Sequence, residues 1–372
     1  MGTIAYSVNG EGRGHATRVQ SIVEMLTPKH QFVLLASGDA YDHLSGEYRG
    51  HSFVKVKRLP GLRFAYQGEK LDYLRSLMTS IPFLWNLRKY TSEIAALLDK
   101  ERPALAITDF EPLLPRAAEL CRIPWVSLDH QHFLSVSDFS SLPFSLRWQS
   151  RFLRCSVRMF YHGQRGEAVS SFAHLPSRRG FESIARMGVM IRKRIEELKE
   201  RVCEKGHLVV YVRHTAPASF WEALSKLDHP IYVFGKCVPP SYANIEYFGI
   251  QNEAFMEQLA CCNALITTAG NQLVGEAFYL GKPVLALPEH GNFEQQVNAW
   301  LVSQSRCGWG VEFSKCTRHL LEQFLLSAPL FKENLREFCS VGNAQAVDFI
   351  ERFMSTEQDL TTSRLQPQRS VA

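Results

Sequence analysis

Residues Thr268–Asn298 read TAGNQLVGEAFYLGKPVLALPEHGNFEQQVN. A glycine turn, a helix, a Gly-Lys-Pro turn, an apolar strand and a polar helix start follow one another without a gap. Strands that alternate with helices in this way pack as a parallel sheet covered by helices on its faces. A turn that opens a helix also presents backbone N–H groups and the positive end of the helix dipole, which together attract a phosphate. Thr268, Ala269, Gly270 and Asn271 form that turn. Glu276 lies further along the helix, where a carboxylate can accept ribose hydroxyls, and Glu294 and Gln295 open the next helix, where they can meet sugar hydroxyls.

A second glycine-rich turn, NGEGRGH at Asn9–His15, follows the strand-like run Thr3–Val8. His15–Leu26 then reads as a helix with Val19, Ile22, Val23 and Leu26 on one face. Further strands are expected at Gln31–Ala36, Phe53–Val56, Ala104–Thr108, Pro124–Leu128 and Ala168–Phe172. After the polar, irregular stretch Ser177–Gly188 and a charged helix over Ile191–Val202, strand–helix alternation resumes at His207–Arg213. With 372 residues, the chain is expected to form two α/β domains. Each is a Rossmann-like, doubly wound parallel sheet, and the two face each other across a cleft. The expected division is 1–186, 187–355 and a disordered tail at 356–372, with a terminal helix over Leu335–Phe353 packing back on the first domain.

Ligands of such sheets bind beyond the carboxyl ends of the strands. That rule singles out Gly10–His15, Ser37–Asp39, Asp109–Glu111 and Asp129–His132. Three readings compete for the first. A dinucleotide turn fits poorly, because the glycines fall at alternate positions rather than in the usual fingerprint. A purely structural turn is the second. The third is a turn at which Gly12 and Gly14 let an acceptor approach the backbone, with His15 as general base; the helix N-terminus disfavours its cation. Asp109 competes with His15 for the role of base. Asp109 and Glu111 either cap the helix begun by Pro112, or contact the acceptor or orient His15, and Asp129, His130 and His132 read as polar lining of the cleft rather than as metal ligands.

Net charge is +5 with a pI near 8.7. That suits an anionic substrate or an acidic membrane, and the chain has no basic stripe or motif for nucleic acid. Nine cysteines without framework spacing predict reduced thiols and a cytoplasmic protein, with Cys261 and Cys262 as packing residues. No apolar run reaches the roughly 20 residues of a membrane span. Tyr73–Lys89 and Leu142–Tyr161 combine aromatic and basic residues. They read either as a core face backed by a solvated one, or as a surface lying on anionic lipid at the inner face of the plasma membrane.

Three segments carry a resemblance: GEGRGHATR, DFEPLLPRAAELCRIPWVSLDHQHF and TTAGNQLVGEAFYLGKPVLALPEHGNFEQQVNA. In them the chain resembles GT-B glycosyltransferases. It is similar in particular to the group containing the N-acetylglucosaminyl transferase of lipid-linked peptidoglycan precursors and the galactolipid synthases, and to uncharacterised bacterial and archaeal members. The resemblance implies a UDP-sugar donor in the second domain and a carbohydrate or lipid-linked hydroxyl acceptor in the first; with helix N-termini and Arg213 at the diphosphate, no metal or other cofactor is expected. It assigns Glu276 to the ribose, Glu294 and Gln295 to the sugar, Thr268–Asn271 to the diphosphate, Ile250 to the uracil, and His15 to the acceptor side. Relatives carry a glycine-rich loop where this chain has Arg213-His214-Thr215-Ala216-Pro217, and often Gln-Gln where it has Glu294-Gln295. Arg213 and His214 are the expected diphosphate contacts there. A UDP-sugar 2-epimerase, a nicotinamide dehydrogenase and a non-catalytic nucleotide-sugar binder are the competing readings.

Overall fold

A computed structural model of the chain describes residues 2–61, 65–67, 70–158, 163–338 and 341–365. The first lobe runs β1 (Thr3–Val8), α1 (Gly14–Leu26), β2 (Gln31–Ala36), α2 (Gly38–Glu47), β3 (Val54–Arg58), a hairpin of β4 (Ala65–Gln67) and β5 (Lys70–Asp72), α3 (Tyr73–Trp85), α4 (Leu87–Glu101), β6 (Leu105–Asp109), α5 (Leu113–Leu120), β7 (Trp125–Asp129), α6 (Phe133–Val136), α7 (Phe144–Arg158), β8 (Gly166–Ser170) and β9 (Ala185–Met187). The second runs α8 (Lys193–Lys199), β10 (Leu208–Val212), α9 (Ala218–Ser225), β11 (Ile231–Gly235), β12 (Ile245–Gly249), α10 (Asn252–Cys261), β13 (Ala264–Thr267), α11 (Asn271–Tyr279), β14 (Val284–Ala286), α12 (Phe293–Gln304), β15 (Gly308–Gly310), α13 (Arg318–Glu337) and α14 (Asn343–Leu365).

The first sheet has seven strands in the order β3-β2-β1-β6-β7-β8-β9 and the second has six in the order β12-β11-β10-β13-β14-β15. Every pairing within them is parallel. Both therefore reverse direction of strand order beside their first strand, at β1/β6 and at β10/β13, and open a crevice there. Helices cover both faces, so the strands are buried on both. Ile4, Tyr6 and Val8 enter one core with Phe32, Leu34, Leu105 and Ile107, while Ala5 enters another with Val33, Leu35 and Ala106. This second core continues into the other lobe through Val209, Leu265 and Val284. Each such buried aliphatic side chain contributes roughly 1.5–3 kcal/mol relative to exposure, so the shared core ties the lobes together.

The segment between the lobes is more ordered than its polar composition suggests. Ser177–Gly188, expected to be irregular, contains β9, which pairs with β8 at Ala168, Val169 and Ser170. The charged helix expected over Ile191–Val202 shortens to α8, because Arg192 stays extended and Ile191 is held from the side. Asn343 Oδ1 accepts from the Ile191 amide at 2.7 Å, and its Nδ2 donates to the Ile191 carbonyl at 2.9 Å. The single terminal helix expected over Leu335–Phe353 is instead two, α13 and α14. A Cβ on Gly342 between them would come within 2.3 Å of the Gly188 carbonyl oxygen. Ala346, Phe349, Ile350 and Met354 of α14 return to the first lobe's core. The helix runs on to Leu365, past the start of the tail set at 356, and residues 366–372 lie outside the described ones.

Cys203 and Cys261 form a disulfide with Cα atoms 4.5 Å apart, against the expectation that all thiols are reduced and that Cys261 only packs. Cys262 is a buried free thiol, as expected. Among the described residues no helix is long and apolar enough to cross a membrane. On α3 and the start of α7, Met78, Leu84, Trp85, Phe144 and Trp148 are exposed, Trp85 at 85%. Phe83, Leu146 and Val157 supply the buried face of the same helices. Met159, Phe160 and Tyr161 lie outside the described residues.

Candidate functional site

The crevices of the two sheets meet in one cavity of about 440 Å³. The first lobe lines it with the turn after β1, the start of α1, Phe110, His130, Gln131 and the inner face of α7. The second lobe contributes Arg213, Gly249–Asn252, Thr267, Thr268, the start of α11 and the start of α12. Two non-glycine residues adopt left-handed backbone beside it: Phe110 (φ 54°) directly after β6, and Ala269 (φ 62°) just after β13. Such conformations cost of order 1–3 kcal/mol and persist where a site over-determines them.

His15 is the second residue of α1 and its ring faces the cavity. Its Nδ1 donates to Asp109 Oδ1 at 2.8 Å. That bond leaves Nε2 with its lone pair toward the cavity, where Gln131 Nε2 approaches to 3.3 Å. Asp109 ends β6 and is completely buried. Arg18, one turn further along α1, grips it through Nε to Oδ2 at 2.7 Å and Nη2 to Oδ1 at 2.8 Å. Burial alone would lower the Arg18 pKa, but the charge and hydrogen bonds of Asp109 outweigh it and hold the guanidinium above its ordinary value. With both oxygens engaged and no exposure, Asp109 orients His15 and does not itself reach the cavity.

The other first-lobe candidates divide. Gly12 (φ 75°) lines the cavity, and a Cβ there would sit 3.2 Å from the Arg213 guanidinium carbon. Gly14 lines it too, where α1 packs on α11. Glu111 does not line it. Its oxygens accept from the amides of Leu113 and Leu114 at 2.8 and 2.9 Å, so it caps α5, and burial raises its pKa against those two bonds. Asp129 likewise turns inward, accepting from the His132 amide at 2.8 Å and from His132 Nδ1 at 2.9 Å. Burial opposes a charge on His132, but Asp129 outweighs it and the pKa is raised. His130 does line the cavity. It stacks on Phe133, points Nδ1 at the Ser170 carbonyl (3.0 Å) and Nε2 at Asn298 Oδ1 (3.2 Å), and burial lowers its pKa.

In the second lobe, Thr268 and Gly270 line the cavity at the N-terminus of α11, while Ala269 faces away and is fully buried. The Asn271 side chain is turned to the first lobe. It accepts from the Phe172 amide at 3.1 Å and donates to the Ser170 carbonyl at 3.2 Å. Glu276 lines the cavity but is only 2% exposed, held by Arg192 Nε and Nη2 at 2.9 and 2.8 Å. Glu294 faces the cavity and accepts from Gln131 Nε2 across the cleft at 3.0 Å. Gln295 lines it with its amide turned to Glu289, accepting from that backbone N–H at 2.8 Å. Arg213 bridges the cleft to Glu11. His214 is drawn away from the cavity by Glu289, 3.0 Å from Nδ1. Burial would raise Glu289, but the His214 bond and the charges of Arg213 and His214 lower its pKa. Ile250 is half-exposed at the rim.

Arg18, Arg192 and Gln272 are cavity residues that sequence reading passed over, while Gln131 lines the cavity within the Asp129–His132 stretch singled out at a strand end. Arg18 stands one helical turn after His15, but its partner is 91 residues away and that of Arg192 is 84 away, so neither pairing is legible in the sequence. Arg13 also lines the cavity, within the Gly10–His15 turn that the sequence singles out. Its Nη2 donates to His43 Nδ1 at 2.7 Å, and His43 Nε2 faces Gln20 Oε1 at 3.1 Å. Burial, then Arg13 and Arg192, push the His43 pKa down to about 3. A histidine depressed from about 6.5 contributes stability that is fully present above that pH and is lost as the pH falls toward the folded value. We expect stability to drop by up to about 1.4 kcal/mol per pH unit below pH 6.5 from this group. The His43→Gln variant should show a flatter profile between pH 6.5 and 4.5 by urea unfolding; identical slopes would contradict it.

Among the described residues no group of three or more His, Cys, Asp or Glu is placed to hold a metal ion. Residues 2–329 match the family model described as Glycosyl transferase family 1. No curated protein matches the chain. Among solved structures, Phytolacca americana UGT2 complexed with UDP-2fluoro-glucose and pterostilbene is similar at 14% identity and a TM-score of 0.66, over 95% of this chain and 100% of that one. Arabidopsis thaliana UGT89C1 complexed with UDP is similar at 14% identity and a TM-score of 0.62, over 95% and 100%. MurG of Acinetobacter baumannii is similar at 13% identity and a TM-score of 0.58, over 94% and 99%. Two parallel sheets facing each other across this cavity are the GT-B fold, and the chain belongs to glycosyl transferase family 1 and is a glycosyltransferase.

Proposed function

We propose that the enzyme moves a hexosyl or N-acetylhexosaminyl group from a UDP-sugar to a hydroxyl on a carbohydrate or lipid-linked acceptor. The observation that carries this reading is the His15 ring, joined to Asp109 through Nδ1 at 2.8 Å and lining the same cavity as the N-terminus of α11. The diphosphate lies at Thr268 and Gly270, where the first amides of α11 lack intrahelical partners. The uracil lies by Ile250, the ribose by Glu276 and the sugar by Glu294. The acceptor lies against Phe110, Leu134, Leu153 and Val157 beside His15.

His15 Nε2 takes the acceptor proton as the acceptor oxygen attacks C1 of the sugar. The bond from C1 to the diphosphate oxygen breaks, and its electron pair leaves with UDP. The new imidazolium is stabilised by the Asp109 carboxylate, which Arg18 grips through both oxygens. Arg13, Arg213 and the α11 dipole neutralise the departing diphosphate, so we read the reaction as metal-independent. Exposed Trp85, Phe144 and Trp148, with exposed Arg75, Arg88, Arg147 and Arg151 alongside, support a peripheral place for the enzyme. We put it in the cytoplasm, against the anionic inner face of the plasma membrane.

The test is a thermal-shift screen with UDP, UDP-glucose, UDP-galactose, UDP-N-acetylglucosamine and NAD. A UDP compound at 100 times its Kd is expected to add about 2.7 kcal/mol of stability. No shift with any UDP compound, or a shift with NAD alone, rejects the reading. Incubation with UDP-N-acetylglucosamine and no acceptor is expected to yield no new sugar nucleotide; an isomerised product would indicate an epimerase.

A further inference from the structure

We propose that the donor ribose is received jointly by Glu276 and Gln272, and that Arg192, from the segment joining the lobes, is the residue that positions them. The inference rests on the nucleotide-sugar reading above. It departs from the simple expectation that one carboxylate takes both hydroxyls.

A carboxylate offers about four lone-pair sites. Glu276 Oε1 receives Arg192 Nε at 2.9 Å and Gln272 Nε2 at 3.2 Å, and Oε2 receives Arg192 Nη2 at 2.8 Å. One site is left, on Oε2, enough for one hydroxyl. The second acceptor is next to it. Gln272 and Glu276 are four residues apart on α11 and so share a face. Gln272 Nε2 also donates to the Met190 carbonyl at 2.6 Å, which turns the amide oxygen the other way. That oxygen, Gln272 Oε1, is buried with no hydrogen-bond partner, on a residue only 3% exposed that lines the cavity. An unpaired buried acceptor is costly, and a ribose hydroxyl satisfies it.

Arg192 is placed for this from outside α11. Its third nitrogen, Nη1, donates to Asn252 Oδ1 at 3.1 Å, fixing the guanidinium plane. Burial would lower the Arg192 pKa, but Glu276 outweighs it and keeps the cation. The approach depends on Gly275, the residue before Glu276. A Cβ there would fall 2.4 Å from a methyl carbon of Val189, which is fully buried and has nowhere to move. Glycine at that position lets the connecting segment lie along α11, and three residues later the chain delivers Arg192 to Glu276. Ser21 of α1 and Gln272 both hold the Met190 carbonyl in between. Donor binding is thereby coupled to the piece of chain that links the lobes.

The test is calorimetry with UDP, 2′-deoxy-UDP and 3′-deoxy-UDP. The wild type should bind UDP about tenfold or more tighter than either deoxy nucleotide, one hydrogen bond apart. Gln272→Met should lose its preference over one deoxy nucleotide and keep the other, and Glu276→Gln should do the reverse. Arg192→Met should reduce both preferences to about threefold or less, which a residue that only stabilises the fold would leave unchanged. Should that variant not fold, Arg192→Lys is expected to lose at least half of both preferences. Gln272→Met with both preferences intact overturns the shared ribose site. Arg192→Lys or Arg192→Met with the wild-type preferences overturns the positioning role. A wild type that binds none of the three nucleotides rejects the nucleotide-sugar reading itself, whereas binding all three equally rejects this inference alone.

Discussion

His15→Ala is expected to lower kcat by about 10²- to 10⁴-fold, the range for loss of a positioned general base. On the proposed reading the donor KM should change by no more than about twofold, because the start of α11, where we place the nucleotide, lines the cavity apart from the His15 ring. The side chain is well prepared for this role. Asp109 holds Nδ1, the turn at Gly12–Gly14 brings the start of α1 to the cavity, and Gln131 reaches Nε2 from the opposite side of the ring. His15→Gln, which keeps a hydrogen-bonding group without a basic nitrogen, should be nearly as slow. Steady-state release of UDP from a donor and acceptor pair measures both variants. A kcat within threefold of wild type would remove His15 from the mechanism.

The largest loss of stability should come from Asp109→Ala. Arg18 is 2% exposed and its guanidinium is held by both oxygens of Asp109. Removing the carboxylate leaves a buried cation without its counter-charge, for which about 3–5 kcal/mol of destabilisation is expected. Deleting both charges should be far milder: Arg18→Met combined with Asp109→Leu replaces a buried pair by apolar groups of similar volume, often close to neutral. Urea unfolding of the single and double variants distinguishes the two. A single-variant loss below 1 kcal/mol would mean that water reaches Arg18. The double variant should fold and remain inactive, since the His15 tautomer then has no partner to fix it.

Local pattern carried the architecture. Apolar strand runs, glycine turns and the order of helices are short-range properties, and both parallel sheets follow from them. The polar segments were harder. β9 is three residues long and its pairing with β8 is what makes it a strand, so Ser177–Gly188 reads as loop in isolation. The break between α13 and α14 likewise depends on Gly342 meeting the Gly188 backbone. In the site, His15 and Glu294 lie in the cavity where their motifs place them, and Glu111 took the capping role that its position before α5 equally allowed. Asn271 and Gln295 are polar residues at the starts of α11 and α12. Even so, their side chains bond to β8 and to Glu289, which no motif announces.

The sequence by itself determined a two-lobed parallel α/β chain, the cleft at the carboxyl ends of its strands, and the turns that face it. These rest on hydrophobic periodicity and backbone freedom within a few residues. Tertiary structure alone decided which polar groups are free to act. Arg18 closes on Asp109 from 91 residues away and Arg192 on Glu276 from 84. Hydrogen bonds and charges join atoms by distance in space, and the sequence orders residues only along the chain.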